Sequence, residues 1–193
     1  YPGHQELELA LVKLYRHTRQ KRYLEKARYF IEERGREPHY FDREARARGE
    51  KPPADSPGAY ATWQAHCPVR EQTEAVGHAV RAMYLYSAMA DLASEYEDDS
   101  LLATLRILWG DLTAKKMYLT GGIGSSESNE GFTEAYDLPN KAAYAETCAA
   151  IGLIFWAHRM LQLDLKSTYA DVMERALYNG MLSGISLDGD RFF

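Results

Sequence analysis

The sequence predicts an all-α chain of stacked α-hairpins, and three observations carry that prediction. Six segments repeat apolar residues at helical spacing. Three times, a helical segment ends in a short polar turn and a similar helix start follows. These starts are Tyr23-Leu24-Glu25-Lys26-Ala27-Arg28, Leu101-Leu102-Ala103-Thr104-Leu105-Arg106 and Tyr169-Ala170-Asp171-Val172-Met173-Glu174-Arg175. They lie 78 and then 68 positions apart (101 − 23 and 169 − 101). Turns within pairs are short and loops between pairs are long. That pattern fits α-hairpins stacked either into an open solenoid or into a closed α/α toroid.

The first segment, 5–18, places Leu7, Leu11, Leu14 and Tyr15 on one stripe. The second, 21–34, turns Tyr23, Ala27, Phe30 and Ile31 inward and stops at Gly35. A loop containing Pro and Gly follows over 36–67, with a locally basic, solvated stretch at 43–51. The third and longest segment, 71–96, carries Ala75, Gly77, Ala79, Ala82, Ala88 and Ala90, small residues that let another helix approach closely. His78 then falls inside a helix. The acidic turn Glu97-Asp98-Asp99-Ser100 leads to the fourth segment, 101–115, and a loop rich in Gly and Ser spans 120–144. The fifth segment, 147–163, is apolar nearly all round and is expected to be buried; the sixth spans 168–182. The tail, 185–193, reads as a hairpin turning at Asp188-Gly189, its second strand barely begun.

At 193 residues the chain has room for one domain, and 46% hydrophobic with 26% charged residues is an ordinary globular balance. Its net charge of −5 argues against a nucleic-acid surface. No apolar run is long enough to span a membrane and no signal segment opens the chain, which begins as if cut from something longer. Two cysteines, Cys67 and Cys148, imply no disulfide framework and fit a reducing compartment, the cytoplasm. The 14 tyrosines suit helix packing first and a sugar-facing cleft second.

Two stretches that run from a loop into a helix concentrate reactive groups: 66–78, and 118–149 with its Gly121-Gly122-Ile123-Gly124 run. That glycine run has no strand before it and no Lys-Ser/Thr after it, so it is no phosphate loop. Glu146 and Cys148 are two apart, an offset that diverges by about 200° on a helix. Where a helix begins, with the chain still extended, both can turn toward one metal as half of a zinc site; zinc normally takes four ligands. The competing reading is a buried free cysteine beside a capping glutamate. His66 with Cys67 is a weak completion of such a site. Glu130, near Phe132, Tyr136 and Asp137, is a candidate general acid or a solvated loop carboxylate. His4 has a claim to line a cleft, whereas His78 reads as a core histidine.

At these residues the sequence resembles glycoside hydrolase family 127, the β-L-arabinofuranosidases. The matching stretches are Tyr-Pro-Gly-His-Gln-Glu at 1–6, Glu-Gln-Thr-Glu-Ala-Val-Gly-His-Ala-Val-Arg at 71–81, Leu-Thr-Gly-Gly-Ile-Gly at 119–124, Tyr-Asp-Leu-Pro-Asn at 136–140 and Glu-Thr-Cys-Ala at 146–149. Arg-Ala-Leu-Tyr-Asn-Gly at 175–180 and Ser-Leu-Asp-Gly at 186–189 also match. The resemblance implies an (α/α)6 toroid followed by β-sandwich domains, so residues 1–193 are expected to be a truncated catalytic domain holding about half of the toroid. It implies a retaining mechanism on arabinofuranosides with a zinc-bound cysteine thiolate as nucleophile. Glu130 matches the acid/base, Glu146 and Cys148 match two zinc ligands, and His4 and His78 match histidines that contact the sugar. The nucleophile position matches neither Cys67 nor Cys148 and is expected beyond Phe193. The piece alone is therefore expected to hold zinc poorly, to be inactive, and to associate with itself or with its missing half.

Two alternatives remain open on the sequence: a sugar epimerase or isomerase on a similar toroid, and a non-catalytic α-hairpin scaffold that binds partners. The Glu-x-Cys element has no task in the first. The second would show no affinity for arabinosides.

Overall fold

The computed structural model describes residues 1–55 and 58–192 of the chain. Seven α-helices lie among them: α1 Glu6–Thr18, α2 Lys21–Glu33, α3 Tyr40–Ala47, α4 Ala79–Tyr96, α5 Asp99–Lys115, α6 Thr147–Asp164 and α7 Ser167–Arg175. The pairs α1–α2, α4–α5 and α6–α7 are each joined by two residues, and the same turn is used three times. Arg19, Glu97 and Leu165 adopt left-handed backbone (φ 60, 52 and 50) and donate their N–H to the carbonyls of Tyr15, Ala93 and Leu161. The next residues, Gln20, Asp98 and Lys166, are extended and open the returning helix. A non-glycine residue in this region costs about 1–2 kcal/mol, offset by satisfying a carbonyl at the helix end. These turns carry the repeat seen in the sequence.

The hairpins stack through their first helices. α4 packs against α1, α2, α5 and α6. Thirteen of its 18 residues are buried, which makes it the central helix. Gly152 of α6 explains the close approach of α6 to α4: a Cβ there would sit 2.7 Å from the Met83 Cβ. Trp156, fully buried, lies 4.9 Å from the Tyr86 ring and 5.0 Å from Trp109, which in turn meets Tyr169 at 4.8 Å. One aromatic ladder thus joins α4, α5, α6 and α7. Trp156→Ala is expected to lower unfolding stability by about 3–5 kcal/mol, measured by denaturant titration; a loss below about 1 kcal/mol would show that the ladder is not the core.

Several expectations change. Residues 72–78 are not helical; α4 begins only at Ala79 because Gly77 has φ +70, and a Cβ there would meet the Ala61 carbonyl oxygen at 1.8 Å. Consequently His78 caps α4 rather than lying inside it. The core face of α1 is Leu9 and Val12 with Glu8, while Leu7 and Leu14 are 44% and 40% exposed. The stripe is rotated because Glu8, fully buried, pairs with the equally buried Arg34 at 3.2 Å, a partner invisible to hydrophobic spacing. The 36–67 loop contains α3, anchored by Asp42, whose carboxylate accepts from Tyr60 at 2.7 Å and from the Ala54 N–H at 3.2 Å. Asp99 and Ser100 belong to α5. The sixth segment is α-helical only to Arg175, then widens into a π-helical turn over Ala176–Met181. Gly180 of that turn lies against Ala150. The tail closes through one bridge, Ile185 to Phe192, around a left-handed Gly189; Phe193 lies outside the described residues.

Candidate active site

The N-terminal ends of α1, α4 and α6, the first helices of the three hairpins, carry the candidate residues. His4 and Gln5 precede α1, His78 precedes α4, and Glu146 precedes α6. Helix N-termini present unpaired N–H groups and a partial positive charge, which favour carboxylates beside them.

The loop between α5 and α6 brings Glu130 to this end. It folds back on itself, with the Ser126 and Gly131 backbones exchanging bonds at 3.0 and 3.1 Å. It then pairs with the residues before α4: Ala79 N–H donates to Glu130 O at 3.0 Å, and Phe132 N–H donates to Gly77 O at 2.9 Å. No side chain fits at Gly131, where a Cβ would lie 1.9 Å from Gly77 O. Glu130 itself is held at φ 49, a strained backbone for a glutamate. The result is a direct contact: His78 Nε2 lies 2.8 Å from Glu130 Oε2. The carboxylate stays 53% exposed while the imidazole is 13% exposed. His78 is therefore the inner, fixed member of the pair and Glu130 the outer, accessible one.

His4 joins them, its ring 6.4 Å from His78 and 5.9 Å from Tyr84. Burial pushes the His4 imidazole below its ordinary value; the charges of Arg81 and His78 act the same way and Glu6 acts against. Burial thus favours the neutral imidazole of His4, in which one ring nitrogen donates and the other accepts. The Nδ1 atoms of His4 and His78 are shielded and have no hydrogen-bond partner among the described residues.

Glu146 is extended (φ −56, ψ 138) and Thr147 begins α6, so the chain straightens where the sequence reading required it. The Glu146 carboxylate interacts with the Cys148 thiol and raises its pKa, burial adding to the rise. Cys148 is exposed, which removes the buried-thiol alternative. A carboxylate and a thiol two residues apart at a helix start are of the donor types that zinc accepts. Among the described residues no group of three or more His, Cys, Asp or Glu side chains is placed to hold a metal ion, so Cys67 and His66 do not complete the set.

Three residues given no role from the sequence also belong here. Arg81 lies on the first turn of α4, its pKa lowered by burial against the opposing charge of Glu130. Tyr84, one turn on, has its phenol raised by burial and by Glu6, Cys148 and Glu146. Tyr144 has its phenol raised by burial and by the charges of Glu146, Glu130, Cys148 and Glu127. For Arg81 and Tyr84 the signal was their spacing of three and six from His78, which gains meaning only once His78 is known to face Glu130. A separate cavity of about 310 Å³ lined by Thr147, Ile151, Met181, Ile185 and Phe192 includes none of His4, His78 or Glu130. It is apolar and adds nothing to this constellation.

Comparison with known proteins agrees with the resemblance. The model of the β-L-arabinofuranosidase GH127 catalytic domain matches residues 1–193. A non-reducing end β-L-arabinofuranosidase of Bifidobacterium longum subsp. longum is 42% identical over 193 residues, 99% of this chain and 29% of that protein. The crystal structure of a GH127 β-L-arabinofuranosidase from Geobacillus stearothermophilus T6 superposes with a TM-score of 0.96 at 57% identity, covering 100% of this chain and 30% of that one. A GH127 β-arabinofuranosidase structure gives 0.86 at 45% identity, covering 100% and 27%. The chain therefore spans under a third of the length of these relatives, and across all of its own length it belongs to the GH127 β-L-arabinofuranosidase catalytic-domain family.

Proposed function

We propose that this chain is the acid/base-bearing part of a retaining β-L-arabinofuranosidase built on an (α/α)6 toroid. The observation that carries the reading is the Glu130 carboxylate at 2.8 Å from His78 Nε2, with the His4 ring beside it. In the first half-reaction Glu130 gives a proton to the leaving glycosidic oxygen, and in the second it takes one from water. His78 fixes the orientation of that carboxylate, and His4 pairs with furanose hydroxyls as donor or acceptor. Glu146 and Cys148 are the two zinc ligands in this reading. Bound zinc lowers the pKa of a coordinated thiol and so supplies a nucleophilic thiolate at neutral pH.

In the resemblance to GH127 the nucleophile position matches neither Cys67 nor Cys148. The nucleophile is therefore assigned outside these 193 residues, and the chain alone turns over no arabinofuranoside. The exposed Leu7, Leu14 and Phe155 on α1 and α6 support a further packing partner, which we assign to the rest of the same toroid. The two unpaired cysteines support a cytoplasmic setting.

The test is metal content and activity of the complete catalytic domain carrying this chain. We expect stoichiometric zinc, lost on Cys148→Ala, and hydrolysis of aryl β-L-arabinofuranosides with retention. Full zinc without hydrolysis of any arabinofuranoside would overturn the activity. Full zinc in Cys148→Ala would overturn the ligand assignment.

A further inference from the structure

The two histidine-bearing segments, 1–5 and 72–78, are far apart in sequence, and side-chain amides tie them together. Gln5, next to His4, is fully buried; its Nε2 donates to Gln64 Oε1 at 2.6 Å and to Trp63 O at 3.0 Å. Gln64, also fully buried, donates from Nε2 to Val76 O at 2.9 Å and to His78 O at 3.1 Å. Its own backbone is left-handed at φ 51, a strain accepted where the amide must be aimed. Gln72 locks that backbone by donating to Gln64 O at 2.8 Å. On the far side, the buried Arg34 donates to the same Trp63 O at 3.0 Å and to Pro2 O at 2.9 Å, two residues before His4.

The backbones that carry His4 and His78 are thus both anchored on residues 63–64. A primary amide is the one neutral side chain that accepts a bond and donates two in a single plane. That is what Gln64 does: it receives from Gln5 and gives to the carbonyls of Val76 and His78.

We propose that Gln64, with Gln5, is a positioning residue: the buried amide pair sets the separation of His4 from His78, and through His78 the placement of the Glu130 carboxylate. Neither glutamine belongs to the reacting set; both act through the histidines. The proposal rests on the reading of His78 and Glu130 as the acid/base unit. Gln64 lies outside the stretches that match GH127, while its partners Gln5 and Gln72 lie within them.

Gln64→Glu tests it. The substitution keeps the shape but turns a carboxylate toward two carbonyl oxygens, leaving them without a donor. Two readouts are taken on the complete catalytic domain. The first needs no substrate: hydrogen–deuterium exchange at the imidazole C2 position of each histidine, followed by mass spectrometry. We expect the His78 rate to change by about two-fold or more in Gln64→Glu, as it does in Glu130→Gln, with the exposed His158 unchanged as internal control. An unaltered His78 rate in the folded variant overturns the proposal.

The second readout is a double-mutant cycle. We expect Gln64→Glu to lower kcat about tenfold in the wild-type background and to have no further effect in His78→Ala. Equal losses in both backgrounds would mean a purely structural role and overturn it. Should Gln64→Glu not fold, Gln5→Met removes both bonds that Gln5 donates at similar volume and is expected to move the His4 and His78 exchange rates together; movement of neither overturns the proposal. A wild-type enzyme that cleaves no arabinofuranoside would sink the proposed activity, while the exchange readout still decides the amide pair.

Discussion

Glu130→Gln in the complete catalytic domain is expected to lower turnover of alkyl β-L-arabinofuranosides by about 10²–10⁴-fold while leaving the melting temperature unchanged. The fold should not notice because the Glu130 side chain is 53% exposed and packs into no core. Its structural role is carried by the backbone, whose carbonyl accepts from Ala79 N–H and whose left-handed conformation an amide side chain tolerates equally. The chemistry should notice because glutamine keeps the hydrogen bond to His78 but has no proton to deliver. Substrate choice sharpens the test. A nitrophenyl leaving group departs without a proton, so with such a substrate the first step is expected to survive and water attack to become limiting, giving a burst of nitrophenol. Equal, small losses on alkyl and aryl substrates would show that Glu130 is not the acid/base and would return it to the solvated-loop reading.

Gly77→Ala is expected to cost at least about 3 kcal/mol of stability, the sum of left-handed strain and an unavoidable backbone clash. At φ +70 any L side chain is strained, and here the new methyl would point into the Ala61–Thr62 backbone, with the Ala61 carbonyl oxygen at 1.8 Å. Neither side has room to yield. The Ala61 segment is pinned by Gln64, and the Gly77 carbonyl receives the Phe132 N–H. The damage should reach the site, since Gly77 is the residue that turns the chain so that His78 faces Glu130. Denaturant unfolding gives the stability, and activity at a temperature where the variant is still folded gives the second effect. A variant within about 1 kcal/mol of wild type would mean that the 58–62 segment moves freely and does not brace His78.

The helices were legible from the sequence because each buries one face against a neighbour, and that leaves a 3.6-residue period in the chain. The hairpin repeat was legible for a similar reason: Arg19, Glu97 and Leu165 end their helices in one geometry, and the amphipathic starts that follow inherit its spacing. Errors fell where a long-range partner outweighed local pattern. The α1 stripe was misread because Glu8 is paid for by Arg34, 26 positions away. Residues 71–78 carry a helical pattern, yet α4 begins only at Ala79 because the Ala61 backbone presses on Gly77.

The site followed the same division. For Glu146 and Cys148 the spacing and a predicted helix start, both local, allowed a shared metal, and the resemblance to GH127 favoured it. His78 could not be separated from a core histidine by any local argument, because its partner Glu130 is 52 positions away and arrives through a loop clamped by bridges at Gly131. By itself, then, the sequence determined the helices, their pairing and the residue types available for chemistry, all of which depend on neighbours a few positions apart. Only the tertiary structure decided which end of the stack those residues share, that His4, His78 and Glu130 meet there, and that buried glutamines hold them. Each of those contacts closes a loop of tens of residues, and a side chain carries no local mark of the partner it will meet.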